Sequence, residues 1–320
     1  MSHVDLLVAG EALLALLAPG GTDPARSTVL HPHVVGAEVN AAAAVAALGH
    51  RVAWTGVVGH DSAGRRICEH LRGRGVDVGL VRTDPTHPTG LLVRDSTPTR
   101  PVQVDYHRAG SAATGWNIAD ASRAAGTCPR VLLISGITPM LSASTRAATA
   151  ALVSACRDDG TTIVFDPNVR LTLGLPDRWR RVVRPLLRAA HVVLASEREL
   201  ELLTESSADR ATDDLLAGDA HTVVVRSADA TSRAVSATGT IRQDPFPVTA
   251  VDPVGAGDAF AGGYVSALLE GLAPAACLSR AAVLGALAVT VAGDQDACPD
   301  RDQLRVVEQA WSNGDLEAAR

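Results

Sequence analysis

The residues best suited by type and spacing to do chemistry are Val251-Asp252-Pro253-Val254-Gly255-Ala256-Gly257-Asp258-Ala259-Phe260, followed by a run dominated by small and apolar residues to Leu272. The pattern predicts an extended segment, a glycine-rich turn and a helix beginning near Ala256. Gly255 and Gly257 permit backbone conformations that let successive N–H groups converge in front of the helix, where its dipole adds partial positive charge. Such a turn holds the oxygens of a phosphoryl group, with the N–H groups of Gly255, Ala256 and Gly257 as donors. Asp258 sits in the same turn, where the dipole is expected to keep it ionised and able to accept a proton from an attacking hydroxyl. An anion hole beside a base is the apparatus of phosphoryl transfer to an alcohol. The competing reading is a helix capped by Asp, with glycines for tight packing.

Three other clusters carry candidate chemistry. Gly36 lets a ligand approach backbone, and the Asn40 amide can donate to and accept from vicinal hydroxyls, unless Asn40 merely caps the helix that follows. Arg108 ends the segment Asp105-Tyr106-His107-Arg108, where its guanidinium can fork onto a carboxylate, although most Arg side chains in so Arg-rich a chain are solvated. In Phe165-Asp166-Pro167-Asn168-Val169-Arg170, Asp166 and Asn168 can order a metal-bound water and phosphate while Arg170 reaches an acidic group; the alternative is an Asx turn after a strand.

Together these stretches resemble the ribokinase-like (PfkB) carbohydrate kinases. The decapeptide resembles their C-terminal signature D-T-x-G-A-G-D-x-F, with Pro253 and Val254 at variable places, and the resemblance implies Asp258 as catalytic base and Gly255-Ala256-Gly257 as anion hole. Gly36-x-x-x-Asn40, Leu48-Gly49 and Gly56-x-x-Gly59-x-Asp61-x-x-Gly64 resemble the N-terminal signature, which implies sugar contacts for Gly36 and Asn40 and turn-forming roles for Gly59, Asp61 and Gly64. Tyr106-His107-Arg108-Ala109-Gly110-Ser111-Ala112, the Gly10-Glu11 start and Asp166-x-Asn168-x-Arg170 are similar to 2-keto-3-deoxygluconate kinases, implying Tyr106, Arg108 and Arg170 on a keto-acid sugar. Ser196-x-x-Glu199 resembles a motif whose Ser lies near the phosphates and whose Glu organises Mg²⁺, so Glu199 is the candidate metal residue, through water. Arg226 and Ala228 stand where a K-x-G-x-x-G loop covers the nucleotide in that family, with both glycines replaced. Ala282 stands where an Asn near the adenine is common. The implied activity is ATP-dependent phosphorylation of a primary hydroxyl on a small sugar acid, with ATP, Mg²⁺ and a monovalent cation as candidate cofactors. A fructokinase or other sugar kinase is the alternative, and a non-catalytic sugar- or nucleotide-binding relative the lower one.

These residues need a scaffold that brings distant segments to one edge. Val4 to Gly10, Val131 to Ile134, Thr162 to Phe165, His191 to Leu194 and Thr222 to Val225 read as buried strands alternating with helices, so a mainly parallel sheet covered on both faces is expected in a three-layer α/β/α domain. Arg51 to Gly59 reads as one further strand. Segments near 11–35 and 88–108 are strand-rich without helices and predict a small β lid on one domain spanning 1–320. Asp166, Ser196, Arg226 and the Gly255 turn then lie at the carboxyl ends of strands, where open α/β sheets bind ligands.

The 320 residues are 47% hydrophobic and 3% aromatic, with formal charge −6 and pI near 5.9, which argues against nucleic acid as a partner. All 29 basic residues are Arg, which excludes a lysine-dependent phosphate loop and Schiff-base chemistry. Five scattered Cys fit a reducing, cytoplasmic setting, and Val4 to Ala18 contains Asp5 and Glu11 and lacks the basic start of a signal peptide. No stretch is long and charge-free enough for a membrane span. An edge of the lid can pair with a second copy, so a homo-oligomer, a dimer first, is the expectation.

Overall fold

The computed structural model describes residues 4–20, 22–95 and 102–312. Val131–Ser135, Thr162–Asp166, Val192–Ser196 and Thr222–Arg226 lie side by side in parallel, with helices between them in the chain. Leu6–Ala9 pairs in parallel with Val131–Ser135 on one side and Val52–Thr55 on the other, and Val76–Asp77 ends that edge. At the opposite edge a hairpin, Ser232–Ser236 and Gly239–Gln243, adds two antiparallel strands to complete nine. The apolar runs are the reason these strands are buried from both sides. Leu7, Ala9, Leu132 and Ile134 enter one core, whereas Leu6, Val8, Val131 and Leu133 enter the other.

The single strand expected over 51–59 is two. Val52–Thr55 belongs to the large sheet, whereas Val57–Gly59 pairs with Arg82–Asp84 in a separate two-stranded sheet. The break falls at Gly56, where a side chain would overlap the Trp54 ring at 2.6 Å and the Gly10 carbonyl at 2.8 Å. The helix Ile118–Ala125, opened by a capping box of Asn117 and Asp120, and the edge hairpin add to the expected elements.

The lid is a four-stranded sheet in the order His31–Val35, Leu13–Leu17, Leu91–Arg94, Val104–His107. Its two central strands, one from each strand-rich segment, run parallel. The Pro- and Thr-rich segment between the last two strands lies mostly outside the described residues. Leu13, Ala15, Leu17, Val35 and Leu92 form the lid's own apolar cluster.

The helix Ala256–Leu269 packs against Ala37–Ala47 and Pro274–Ala288. Small residues set the distance: a Cβ at Gly262 would sit 2.9 Å from that of Ala44, and one at Gly263 2.8 Å from the Arg280 carbonyl. The Ala- and Gly-rich composition is therefore what lets the segments bearing Asn40 and Asp258 approach each other.

Candidate active site

Asp166, Ser196 and Arg226 are the last residues of three adjacent parallel strands. Beside them Gly255 takes φ +87°, the left-handed conformation, and the helix starts at Ala256, leaving the first-turn N–H groups open at the turn. A Cβ at Gly255 would meet the Asp294 backbone and Cβ at 3.1–3.2 Å, and one at Gly257 the Arg226 guanidinium at 2.9 Å. These elements and the lid enclose a cavity of about 690 Å³ whose wall includes Gly36, Asn40, Tyr106, Arg108, Asn168, Arg170, Ser196, Glu199, Arg226, Gly255, Gly257 and Asp258.

The helix Ala37–Ala47 begins one turn before Asn40, so Asn40 is not its cap. Its amide instead donates to Asp258 Oδ2 at 2.8 Å and to Asp294 Oδ2 at 3.2 Å. Gln295 decides which way that amide faces, because its Nε2 donates to Asn40 Oδ1 at 2.9 Å. Asn168, held at φ 44° by the turn after Asp166, donates to Asp258 Oδ1 at 3.2 Å. Both carboxylate oxygens of Asp258 are therefore aimed.

Asp258 departs from expectation in its charge. Burial, reinforced by the negative charges of Asp294 and Asp166, pushes its carboxyl up to about 7, against the Asn40 hydrogen bond and the positive charge of Arg170. The helix dipole does not hold it in the ordinary carboxylate range. A base titrating near neutrality is suited to taking a proton from an alcohol and giving it up again.

At the strand ends, Arg226 donates to Asp166 Oδ2 at 3.1 Å and to the Gly257 carbonyl at 3.3 Å. Burial and the Glu199 charge, opposed by Arg226, raise the Asp166 carboxyl to about 6. Glu199 accepts from the backbone of Val169 at 2.8 Å and closes a capping box with Ser196. Ala228 lies on the exposed turn joining Thr222–Arg226 to Ser232–Ser236, outside the cavity wall. Ala282 is buried inside Pro274–Ala288, away from that wall.

Under the lid, Arg108 is 8% exposed, lies 4.3 Å over the Tyr106 ring and donates through Nη1 to Glu11 Oε2 at 2.9 Å. Its Nη2 is buried without a hydrogen-bond partner. Burial pushes the Glu11 carboxyl up to about 7 despite Arg108. Arg170 is exposed at the cavity wall and forms no ion pair among the described residues.

Sequence reasoning missed Arg94, Asp294, Gln295 and the structural part of Glu38. Glu38 is 2% exposed, accepts from the Thr138 hydroxyl at 2.7 Å and the Ser135 N–H at 3.2 Å, and burial raises its carboxyl. Its carboxyl lies where a Gly10 Cβ would be, 2.4–2.5 Å away. Gly10→Ala is thus expected to destabilise the fold by about 1–3 kcal/mol, read as a lower denaturation midpoint at unchanged m-value. An unchanged midpoint would show that Glu38 swings aside freely.

The family model of pfkB family carbohydrate kinases matches residues 10–301. The chain belongs to this family. It is 36% identical over 282 residues, 85% of each chain, to a 2-dehydro-3-deoxygluconokinase of Bacillus subtilis (strain 168). It is 32% identical over 294 residues, 91% of this chain and 92% of the relative, to a 2-dehydro-3-deoxygalactonokinase of Haloferax volcanii. Among solved structures it is similar to a PfkB protein from Polaromonas sp. JS666, at 32% identity and TM-score 0.84 over 94% of this chain and 99% of the other. The pfkB kinase is therefore a phosphotransferase with a sugar alcohol as acceptor, built on the ribokinase-like fold.

Proposed function

We propose that this kinase transfers the γ-phosphoryl of ATP to the primary hydroxyl of 2-keto-3-deoxygluconate, giving the 6-phosphate. The observation carrying this reading is Arg108: a guanidinium nine-tenths buried, with one nitrogen unpartnered, in the wall of the same cavity as Asp258 and Arg170. An unpartnered buried donor is costly to leave unmade, and a substrate carboxylate completes it. The names of the relatives above support the same substrate class.

In the reaction Asp258 takes the proton of the attacking hydroxyl, with Asn40 and Asn168 aiming its two oxygens. The N–H groups of Gly255, Ala256 and Gly257 stabilise charge on the transferring group. Gly36 and Asn40 with Tyr106, Arg108 and Arg170 hold the acceptor, and Ser196, Arg226 and the Gly255 turn face the nucleotide. Among the described residues no group of three or more His, Cys, Asp or Glu gathers around a metal position. Mg²⁺ keeps most of its waters and shares phosphate oxygens, so a single carboxylate suffices. Glu199, its oxygens already accepting backbone and Ser196 hydrogen bonds, fits that ion through water. Held there, the ion would neutralise charge on the nucleotide oxygens. We assign no place to a monovalent cation.

No helix among the described residues is long and apolar enough to cross a membrane. We propose a cytoplasmic enzyme, and a dimer in which an edge strand of the lid, His31–Val35 or Val104–His107, meets a second copy.

The test is ADP release with ATP and Mg²⁺ across 2-keto-3-deoxygluconate, its galacto epimer, fructose, ribose and adenosine. Turnover confined to the keto-deoxy acids is expected. Turnover on fructose or ribose overturns the carboxylate reading while keeping the base, and silence on every acceptor favours a non-catalytic protein.

A further inference from the structure

Arg94, on the lid strand Leu91–Arg94, carries its charge from the lid into the packing behind the catalytic turn. It is 3% exposed. Its Nη2 donates to Asp252 Oδ2 at 2.7 Å and its Nη1 to Asp294 Oδ1 at 3.1 Å, at carboxylates themselves 3% and 8% exposed. Both belong to the machinery around the anion turn. Asp252 lies three residues before Gly255 and accepts from the Val254 N–H at 3.0 Å, shaping the turn. Asp294 packs against Gly255, and its other oxygen accepts from the same Asn40 amide that donates to Asp258.

From this arrangement we infer that Arg94 is a positioning residue for phosphoryl transfer, coupling lid closure to the state of the anion turn. Two buried carboxylates beside that turn would repel an incoming triphosphate, and the Arg94 guanidinium offsets one of the two charges while bonding both. Because the charge arrives on a lid strand, the turn is electrostatically ready only when the lid is seated. The tie also fixes Asp294, which holds the second acceptor of the Asn40 amide and so keeps Asn40 aimed at Asp258. Asp252 and Asp294 lie 158 and 200 positions from Arg94 in the chain, so the charge balance exists only in the folded, lidded state. The inference rests on the phosphoryl-transfer reading above.

Arg94→Met keeps the length of the side chain and removes the charge; Arg94→Lys restores the charge without the two-pronged geometry. Arg94→Met is expected to lower kcat at saturating substrates by at least about thirtyfold, with sugar KM within about threefold, and Arg94→Lys to recover part of it. In an Asp294→Asn background one of the two unbalanced carboxylates is gone, so the added effect of Arg94→Met should shrink to about fivefold or less. Titration with a non-hydrolysable ATP analogue, followed by calorimetry, reads the same charge without turnover: Arg94→Met should weaken it at least about tenfold and the double variant should recover most of that. These binding data stand even if the wild-type enzyme turns over none of the acceptors tried, which would sink the proposed substrate and leave Arg94 testable. Equal losses from Arg94→Met in both backgrounds, or a loss confined to sugar KM, overturn the inference. So does unchanged analogue affinity. Should Arg94→Met not fold, Arg94→Gln takes its place as the uncharged variant, and wild-type kcat and analogue affinity in it count as the same refutation.

Discussion

Asp258→Asn lowers kcat by about two to four powers of ten while changing sugar KM little, since the amide keeps the shape of the carboxylate and loses its basicity. Steady-state turnover with a saturating acceptor checks this, and a variant with near-normal kcat removes Asp258 from its role. The pH profile adds a second reading. With its carboxyl raised to about 7, Asp258 is protonated and idle below that value, so wild-type kcat should fall as pH drops through about 7. Stability moves the other way. A carboxyl whose folded value exceeds its unfolded value of 3.8 binds a proton more tightly in the folded state, so its contribution is fully present below about 4 and is lost as pH rises toward about 7. An amide at position 258 cannot titrate and escapes that loss. The thermal midpoint of the variant, relative to wild type, should therefore rise by roughly a few degrees between pH 4 and pH 8. A constant offset is expected beneath this trend, because Asn40 and Asn168 both donate to position 258 and an amide there has only one acceptor.

The parts of the site that local patterns determine are legible in the sequence itself. Strand ends at Asp166, Ser196 and Arg226 follow from apolar runs stopped by polar residues, and the Gly255 turn follows from the two glycines at the start of a helix. What is not legible depends on contacts far apart in the chain. Nothing near Asn40 distinguishes a cap from a residue reaching Asp258, 218 positions away; the helix start at Ala37 decides it. Arg94 reads as the polar end of an ordinary lid strand, on the same face as Leu92, and Asp294 and Gln295 as polar residues in a loop after a helix. Only packing brings them to the turn. The charge of Asp258 escapes a local reading for the same reason: the helix dipole is visible in sequence, whereas the burial and the Asp294 charge that outweigh it are not. Gly56 shows the converse, since the break it makes in the expected strand over 51–59 answers to the ring of Trp54 two residues earlier.

Arg108→Ala should cut kcat/KM for a keto-deoxy acid by about 2 to 5 kcal/mol, roughly thirtyfold to several thousandfold, and leave neutral sugars much less affected. Competition between an acid and a neutral acceptor measures the difference, and equal losses on both would refute the carboxylate assignment. The single variant also disturbs a second group, in a way that can be separated. Removing Arg108 strands Glu11, 4% exposed, without its counter-ion, and much of the apparent cost then belongs to the orphaned carboxylate. Glu11 already lies near 7 with Arg108 beside it, so without that charge it takes up a proton at neutral pH. Arg108→Met with Glu11→Gln removes both charges and should recover fold stability but not activity on the acid. The same pair explains why two Arg are needed. When Glu11 is ionised, Arg108 and Glu11 together carry no net charge, and the attraction for an anion falls to Arg170, which forms no ion pair among the described residues. Arg108 then contributes direction through its unpartnered Nη2 and Arg170 contributes charge, so Arg170→Ala should weaken the acid with a steep dependence on ionic strength, whereas the buried Arg108 contact should be nearly insensitive to salt.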